Sequence, residues 1–186
     1  MKSKLIWALL LLLPGLLWAA PQTQWVLEKS KISYTVTHPL HEVHGISFSA
    51  KGKGVCYGAH CDFLVALPVK SFVSGDDNRD FHMLQITRAG LYPMIQVSAR
   101  IPSWKDGKKP SRLPADLTVS FAGKKVDYPG VKLELSGWKD GQVHVKGVIP
   151  LSLKDFDIQP PTLLAMPIRD RVPVKLDMLW KRLSSN

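Results

Sequence analysis

Cys56 and Cys61 are the two cysteines of the chain, set on either side of Tyr57-Gly58-Ala59-His60. In an exported protein an even-numbered pair reads first as a disulfide. Their spacing is not the Cys-x-x-Cys-His of haem attachment, and a zinc site would need two further ligands from elsewhere. Gly58 in the middle suits a hairpin with a four-residue tip and the cysteines facing each other across two strands. Closing so small a loop restricts the unfolded chain by about 2 kcal/mol.

Histidines are the second group able to do chemistry. His38, His41 and His44 recur at three-residue spacing with Glu42 among them, and such clusters bind zinc, copper or haem. In a strand, however, a spacing of three puts neighbours on opposite faces. The three converge only if their loop folds back; otherwise they cap two strands, and no metal site is assigned. His38 falls on an inward face and is a candidate for orienting a ligand headgroup. His82 is another, with Arg79 and Asp80 beside it; these two are expected to form an ion pair that holds a loop. The sequence has no Gly-x-Ser-x-Gly elbow, phosphate loop or His-Glu-x-x-His helix. With the cysteines paired there is no thiol nucleophile. A non-enzyme without a cofactor is expected.

The elements that must position these residues are strands. Apolar residues alternate with polar ones in Ile32-Tyr34-Val36-His38, Ile46-Phe48-Ala50, Phe63-Val65-Leu67-Val69 and Ile95-Val97-Ala99-Ile101. The pattern returns in Leu117-Val119-Phe121, Val131-Leu133-Leu135, Val143-Val145 and Val172-Val174-Leu176-Met178-Trp180. Such period-two runs are the signal of half-buried strands. Turns are expected at Lys105-Asp106-Gly107, Ala122-Gly123-Lys124, Pro129-Gly130 and Lys139-Asp140-Gly141. About eight antiparallel strands in one all-β domain mean a sandwich or a closed barrel. The stretch Asp77 to Leu84 lacks alternation and reads as one short helix in a long connection. The tract from Gln159 to Pro167 reads as an irregular loop.

At the N-terminus, Lys2 and Lys4 precede the uncharged run Leu5 to Leu13, and Leu16-Leu17-Trp18-Ala19-Ala20 follows Pro14-Gly15. This is the pattern of a cleavable secretory signal over residues 1–19, leaving residues 20–186 as the mature domain in the periplasm. The apolar run falls short of the roughly 20 residues that span a bilayer. Formal charge is +10, or +8 without Lys2 and Lys4. That balance suits an anionic membrane surface, to which peripheral contact is admitted, or an acidic partner. Export argues against nucleic acid, and the scattered lysines form no block with interleaved aromatics.

Several local patterns together resemble the YceI-like family of exported lipocalin-like barrel proteins. The run Trp25 to His38 is similar to that family's opening strand, and Val43-His44-Gly45-Ile46-Ser47-Phe48 resembles its second. Asn78-Arg79-Asp80-Phe81-His82-Met83-Leu84 resembles its Arg-Asp-x-His-Leu segment, and Tyr92-Pro93-Met94-Ile95 its Tyr-Pro-x-Ile strand start. Leu113 to Val119 and Ser152-Leu153-Lys154-Asp155-Phe156-Asp157-Ile158 match two later motifs. Order and spacing hold across nearly the whole mature chain. Asp157 stands where the family favours glycine, and the cysteine hairpin is not a general family feature.

The resemblance implies a lipocalin-like antiparallel barrel of about eight strands, with one short helix, around an apolar tunnel. Its ligand would be a long-chain isoprenoid or similar amphiphilic lipid, held for transport or storage. Small closed barrels do leave room for one ligand, and each buried methylene contributes about 0.8 kcal/mol. Candidate ligand-binding residues are Tyr34, Val36, His38, Phe48, Val65, Leu67, Arg79, His82, Ile95 and Val97. The segment Val73 to Gly90, long and polar, is the candidate lid or rim. An inner-membrane or envelope protein is a further candidate partner. Two alternatives stand beside this reading: a haem- or metal-linked redox accessory protein of the envelope, and an interaction barrel filled by its own side chains.

Overall fold

The structure, a computed structural model, describes residues 23–38, 41–104, 108–160, 162–163 and 166–183. The predicted signal peptide and the turn at Lys105-Asp106-Gly107 lie outside the described residues.

The strands are β1 (Thr23–His38), β2 (His41–Ser47), β3 (Lys51–Tyr57), β4 (His60–Pro68), β5 (Met94–Pro102) and β6 (Arg112–Phe121). They continue with β7 (Lys124–Lys139), β8 (Gln142–Ser152), the two-residue β9 (Thr162–Leu163) and β10 (Met166–Pro167), and β11 (Arg171–Arg182). The helix α1 (Asp77–Ile86) runs two residues beyond its expected end. Strands pair antiparallel with their neighbours from β3 to β8, β8 pairs with β11, and β11 returns to β1. Closure is carried by the register from Trp25↔Arg182 to Tyr34↔Val174. A closed barrel leaves no edge open to aggregation.

The other edge of β1 is shared. Its first residues pair with β3 (Thr23↔Cys56 to Val26↔Lys53) and its last with β2 (Ile32↔Ser47 to His38↔His41). Thus β2 and β3 together fill one place in an eight-position barrel. β9 and β10 form a small ribbon of their own.

The Cys56–Cys61 disulfide closes the β3–β4 hairpin, with the two residues directly opposite in register. The tip is tighter than the sequence suggests. Tyr57 pairs with His60, which leaves a two-residue turn of Gly58 and Ala59. Gly58 takes φ 57 at the first central position, where a type II′ turn requires a positive value that glycine adopts without strain.

Pro129-Gly130 is not a turn but a bulge inside the 16-residue β7. Leu117 pairs with Tyr128 and Ala115 with Val131, so Asp116 alone faces both residues. Gly130 takes φ 64, and its N–H donates to the Asp116 carboxylate at 2.9 Å. Proline, which has no N–H to give a ladder, is tolerated at such a site.

Asp157 occupies the position where the sequence motif favours glycine, and its φ is 54. Aspartate is among the residues that tolerate the left-handed region. Its carboxylate meets Lys124 Nζ at 2.6 Å.

The barrel has two unlike halves. At the end near the chain termini, buried Trp25, Trp180, Leu133, Leu135 and Val143 fill the interior. Trp25 lies 6.0 Å from Trp104, which lies 5.5 Å from Trp138, while Phe63 meets Trp180 edge-on at 4.9 Å between centroids. Such pairs contribute about 0.5–1.5 kcal/mol beyond their area burial. The opposite end carries the β1–β2 hairpin, the segment 69–93 with α1, and the loop after β8. That end is hollow.

A lidded apolar cavity as candidate functional site

The hollow half encloses a cavity of about 590 Å³. Alternation places its wall: inward residues two apart on a strand share a face, and Ile32, Tyr34 and Val36 of β1 follow one another down one side. Leu67 of β4, Ile95 and Val97 of β5, and Val119 of β6 continue it. Ile149 and Leu151 of β8 and Val174 and Leu176 of β11 close the circle. The polar side chains on the cavity are few and lie toward one end. They are Tyr34 and, from α1 and its flanks, Asp76, Arg79, His82 and Thr87. An apolar chamber with polar groups gathered at the mouth is complementary to an amphiphile.

Helix α1 lies across the mouth, with Met83 and Ile86 turned to the cavity. Its start is set by Asp76, whose side chain accepts the Arg79 backbone N–H at 2.8 Å, an N-cap bond. Asp77 and Asp80 place negative charge in the first turn, where the helix dipole favours it. Arg79 and Asp80 do not pair with each other as expected; both end on Ser74. Asp80 accepts from the Ser74 backbone N–H at 3.1 Å and from its hydroxyl at 2.5 Å. Arg79 Nε donates to that hydroxyl at 2.9 Å, and its Nη2 to the Ser74 carbonyl at 3.1 Å. Adjacent helical residues point in different directions, so a shared third group joins them more readily than a direct contact.

Tyr34 stands below this network, its ring 5.3 Å from that of Phe72. Burial, and next the Asp80 carboxylate, push its phenol above the usual value, with Arg79 opposing. The hydroxyl therefore stays neutral across the physiological range. Gly45 on the paired strand leaves room for the ring, since a Cβ there would run into it.

Of the sequence-derived site residues, Tyr34, Val36, Leu67, Arg79, His82, Ile95 and Val97 lie together on this cavity. Val65 is 7% exposed in the core one inward step below it. Phe48 is misplaced by the sequence reading: it is 69% exposed and points away. Its alternating run, Ile46-Phe48-Ala50, breaks because β2 ends at Ser47 and β3 starts at Lys51. In β2 the buried residues are Gly45 and Ser47, the latter bonded to Ser71 Oγ at 2.7 Å, and the buried face resumes at Ala50. The side chains of His38 and His41 lie outside the described residues. His44 is exposed, its Nδ1 3.0 Å from the Thr35 hydroxyl. Among the described residues no three His, Cys, Asp or Glu side chains gather into a metal site.

Sequence reasoning missed Val119, Ile149, Leu151 and Leu176 as wall residues, though the same alternation marks them. It also missed Met83 and Ile86, which lie outside the alternating strands. A second concavity of about 1140 Å³ runs along the start of β1 and along β3 to β7, touches Trp25 and Phe63, and is open to solvent. Several of its charged groups already have partners: Arg100 bonds Asp62 at 2.8 Å, and Asp127 accepts from the Thr118 hydroxyl at 2.6 Å. The smaller, more apolar chamber under α1 is the better candidate.

An eight-position antiparallel barrel with a helix over an apolar chamber defines a lipocalin-like protein. No protein-family model matches this sequence, and no curated protein matches it. Solved structures do match by fold. BcnA of Burkholderia cenocepacia superposes with a TM-score of 0.67 at 16% identity, covering 81% of this chain and 95% of that one. A polyisoprenoid binding domain from Saccharophagus degradans, implicated in plant cell wall breakdown, gives 0.65 at 13% identity over 86% and 98%. A YceI protein of Campylobacter jejuni gives 0.51 at 16% over 67% and 73%. The chain has the fold of the YceI-like proteins, as the sequence motifs imply.

Proposed function

We propose that the chain is an exported binding protein that holds a long-chain isoprenoid or similar amphiphilic lipid, tail in the barrel and headgroup at α1. The carrying observation is the apolar chamber whose polar side chains gather toward one end. Its volume lies within the range of small-molecule sites, about 300–1,000 Å³. The S. degradans neighbour, which shares the fold, is by its name a polyisoprenoid binding domain. The disulfide agrees with an oxidising compartment outside the cytoplasm. Helix α1 offers a way to release cargo, because none of its residues is buried. The protein acts as a carrier or store rather than as an enzyme.

The test is organic extraction of protein purified from its native host, followed by native mass spectrometry of the delipidated chain with added prenyl alcohols. One amphiphile released per chain, and its replacement by an added prenyl alcohol, is the expected result. An empty extract with no uptake would overturn the proposal.

A further inference from the structure

The wall of the chamber ends part-way down each long strand that lines it. Ile32, Leu67, Val97, Val119, Ile149 and Leu176 are its lowest residues on their strands. One inward step further down, Ser30, Val65, Leu117 and Met178 are buried and the chamber has stopped. Below Met178 lies Trp180, 3% exposed, with Phe63 edge-on against it.

The wall between β11 and β4 is thinned to seat these rings. A Cβ on Gly52 would stand 2.7 Å from Trp180 Cη2, and one on Gly54 would run into the Phe63 ring. Two side chains are thus missing from β3 where two large rings cross the barrel. Beneath them lies the tilted and edge-to-face cluster of Trp25, Trp104 and Trp138. Close packing of this kind does not yield to an entering chain.

We infer that Trp180 and Phe63 form a floor that sets the length of apolar chain the barrel accepts. The inference rests on the lipid-binding reading above. From Val36 to Ile32 the chamber runs about 14 Å along β1 at the usual rise per residue. A tail entering at α1 meets the floor after that distance and must end or fold back. Affinity therefore rises with each added prenyl unit up to a limit, and longer tails gain nothing.

The experiment measures binding of a ladder of prenyl alcohols, from farnesol upward, to delipidated wild-type protein and to variants whose folding is checked by thermal unfolding. Trp180→Ala and Phe63→Ala should move the limit up, the former by about two isoprene units for the volume removed. Val97→Phe, which fills the chamber from its wall, should move it down. If Trp180→Ala does not fold, Met178→Ala and Val97→Phe decide. A wild type without a length limit, or the same limit in every folded variant, would overturn the floor while leaving lipid binding intact. Failure of all prenyl alcohols with all proteins would remove the lipid-binding reading, and this inference with it.

Discussion

The guanidinium of Arg88 donates to the carbonyl oxygen of Phe156 at 2.9 Å, joining the end of α1 to the loop after β8. The same Nη2 reaches the carbonyl of Ala122, in the β6–β7 turn, at 2.6 Å. Arg88 itself sits at φ 56, outside the helix, where the chain turns back toward β5. With Ser74 holding the first turn of α1, the lid is fixed at its two ends, and no residue of the helix between them is buried. An element held by polar anchors and little apolar contact belongs to the low-stability end of a fold.

Arg88→Ala should therefore act on the lid first. It leaves the Ala122 and Phe156 carbonyls without this donor and should cost about 1–3 kcal/mol in denaturant unfolding. Amide exchange over residues 77–86 should accelerate more than exchange in the barrel strands. A stability change under about 0.5 kcal/mol, the range of unremarkable surface substitutions, with unchanged exchange would show that the clamp does not hold the lid.

Replacing both Cys56 and Cys61 by Ser should lower stability by about 2 kcal/mol, the loop-closure value for so short a loop. Cys61 is fully buried, so the serine hydroxyl placed there adds a desolvation cost to that value, and the urea midpoint should drop. Circular dichroism and urea titration of the variant, with and without reductant on the wild type, read this directly. A midpoint that moves in neither experiment contradicts the prediction.

Acid stability should depend on Asp62. The Arg100 guanidinium at 2.8 Å, and next the Tyr57 hydroxyl at 2.5 Å, hold its carboxyl below the usual carboxylate range. A folded-state value below the unfolded one stabilises the fold above about pH 4 and is lost as pH falls through the lowered value. At the other extreme the same hydrogen bond, with desolvation, raises the Tyr57 phenol. That contribution is present below about pH 10 and lost as pH climbs through the raised value. Asp62→Asn should flatten both limbs of a stability-versus-pH curve relative to wild type. Superimposable curves would contradict the assignment.

Much of the fold was legible in the sequence because strand physics is local. Alternation gave Tyr34, Val36, Leu67, Ile95 and Val97 on the chamber wall and Val65 one step below it, since an inward face is written in every second residue. The cysteine pair and the position of α1 followed from spacing and from the loss of alternation. Where a strand is interrupted, local pattern fails: Phe48 lies beyond the point at which β2 ends, and Pro129-Gly130 bends one strand where a turn was expected.

What the sequence by itself determined is most of the barrel strands, the inward faces of the uninterrupted ones and a covalent staple on one hairpin. What only the tertiary structure decided is that one half of the barrel is solid and the other hollow. A cavity is the space left by side chains from many strands at once, and no single strand carries its signature. Trp180 lies far along the chain from Gly52, Gly54 and Phe63 of the β3–β4 hairpin, and barrel closure brings it to them. The clamp of Arg88 on Ala122 and Phe156 is of the same kind, because its acceptors are backbone carbonyls that any residue supplies.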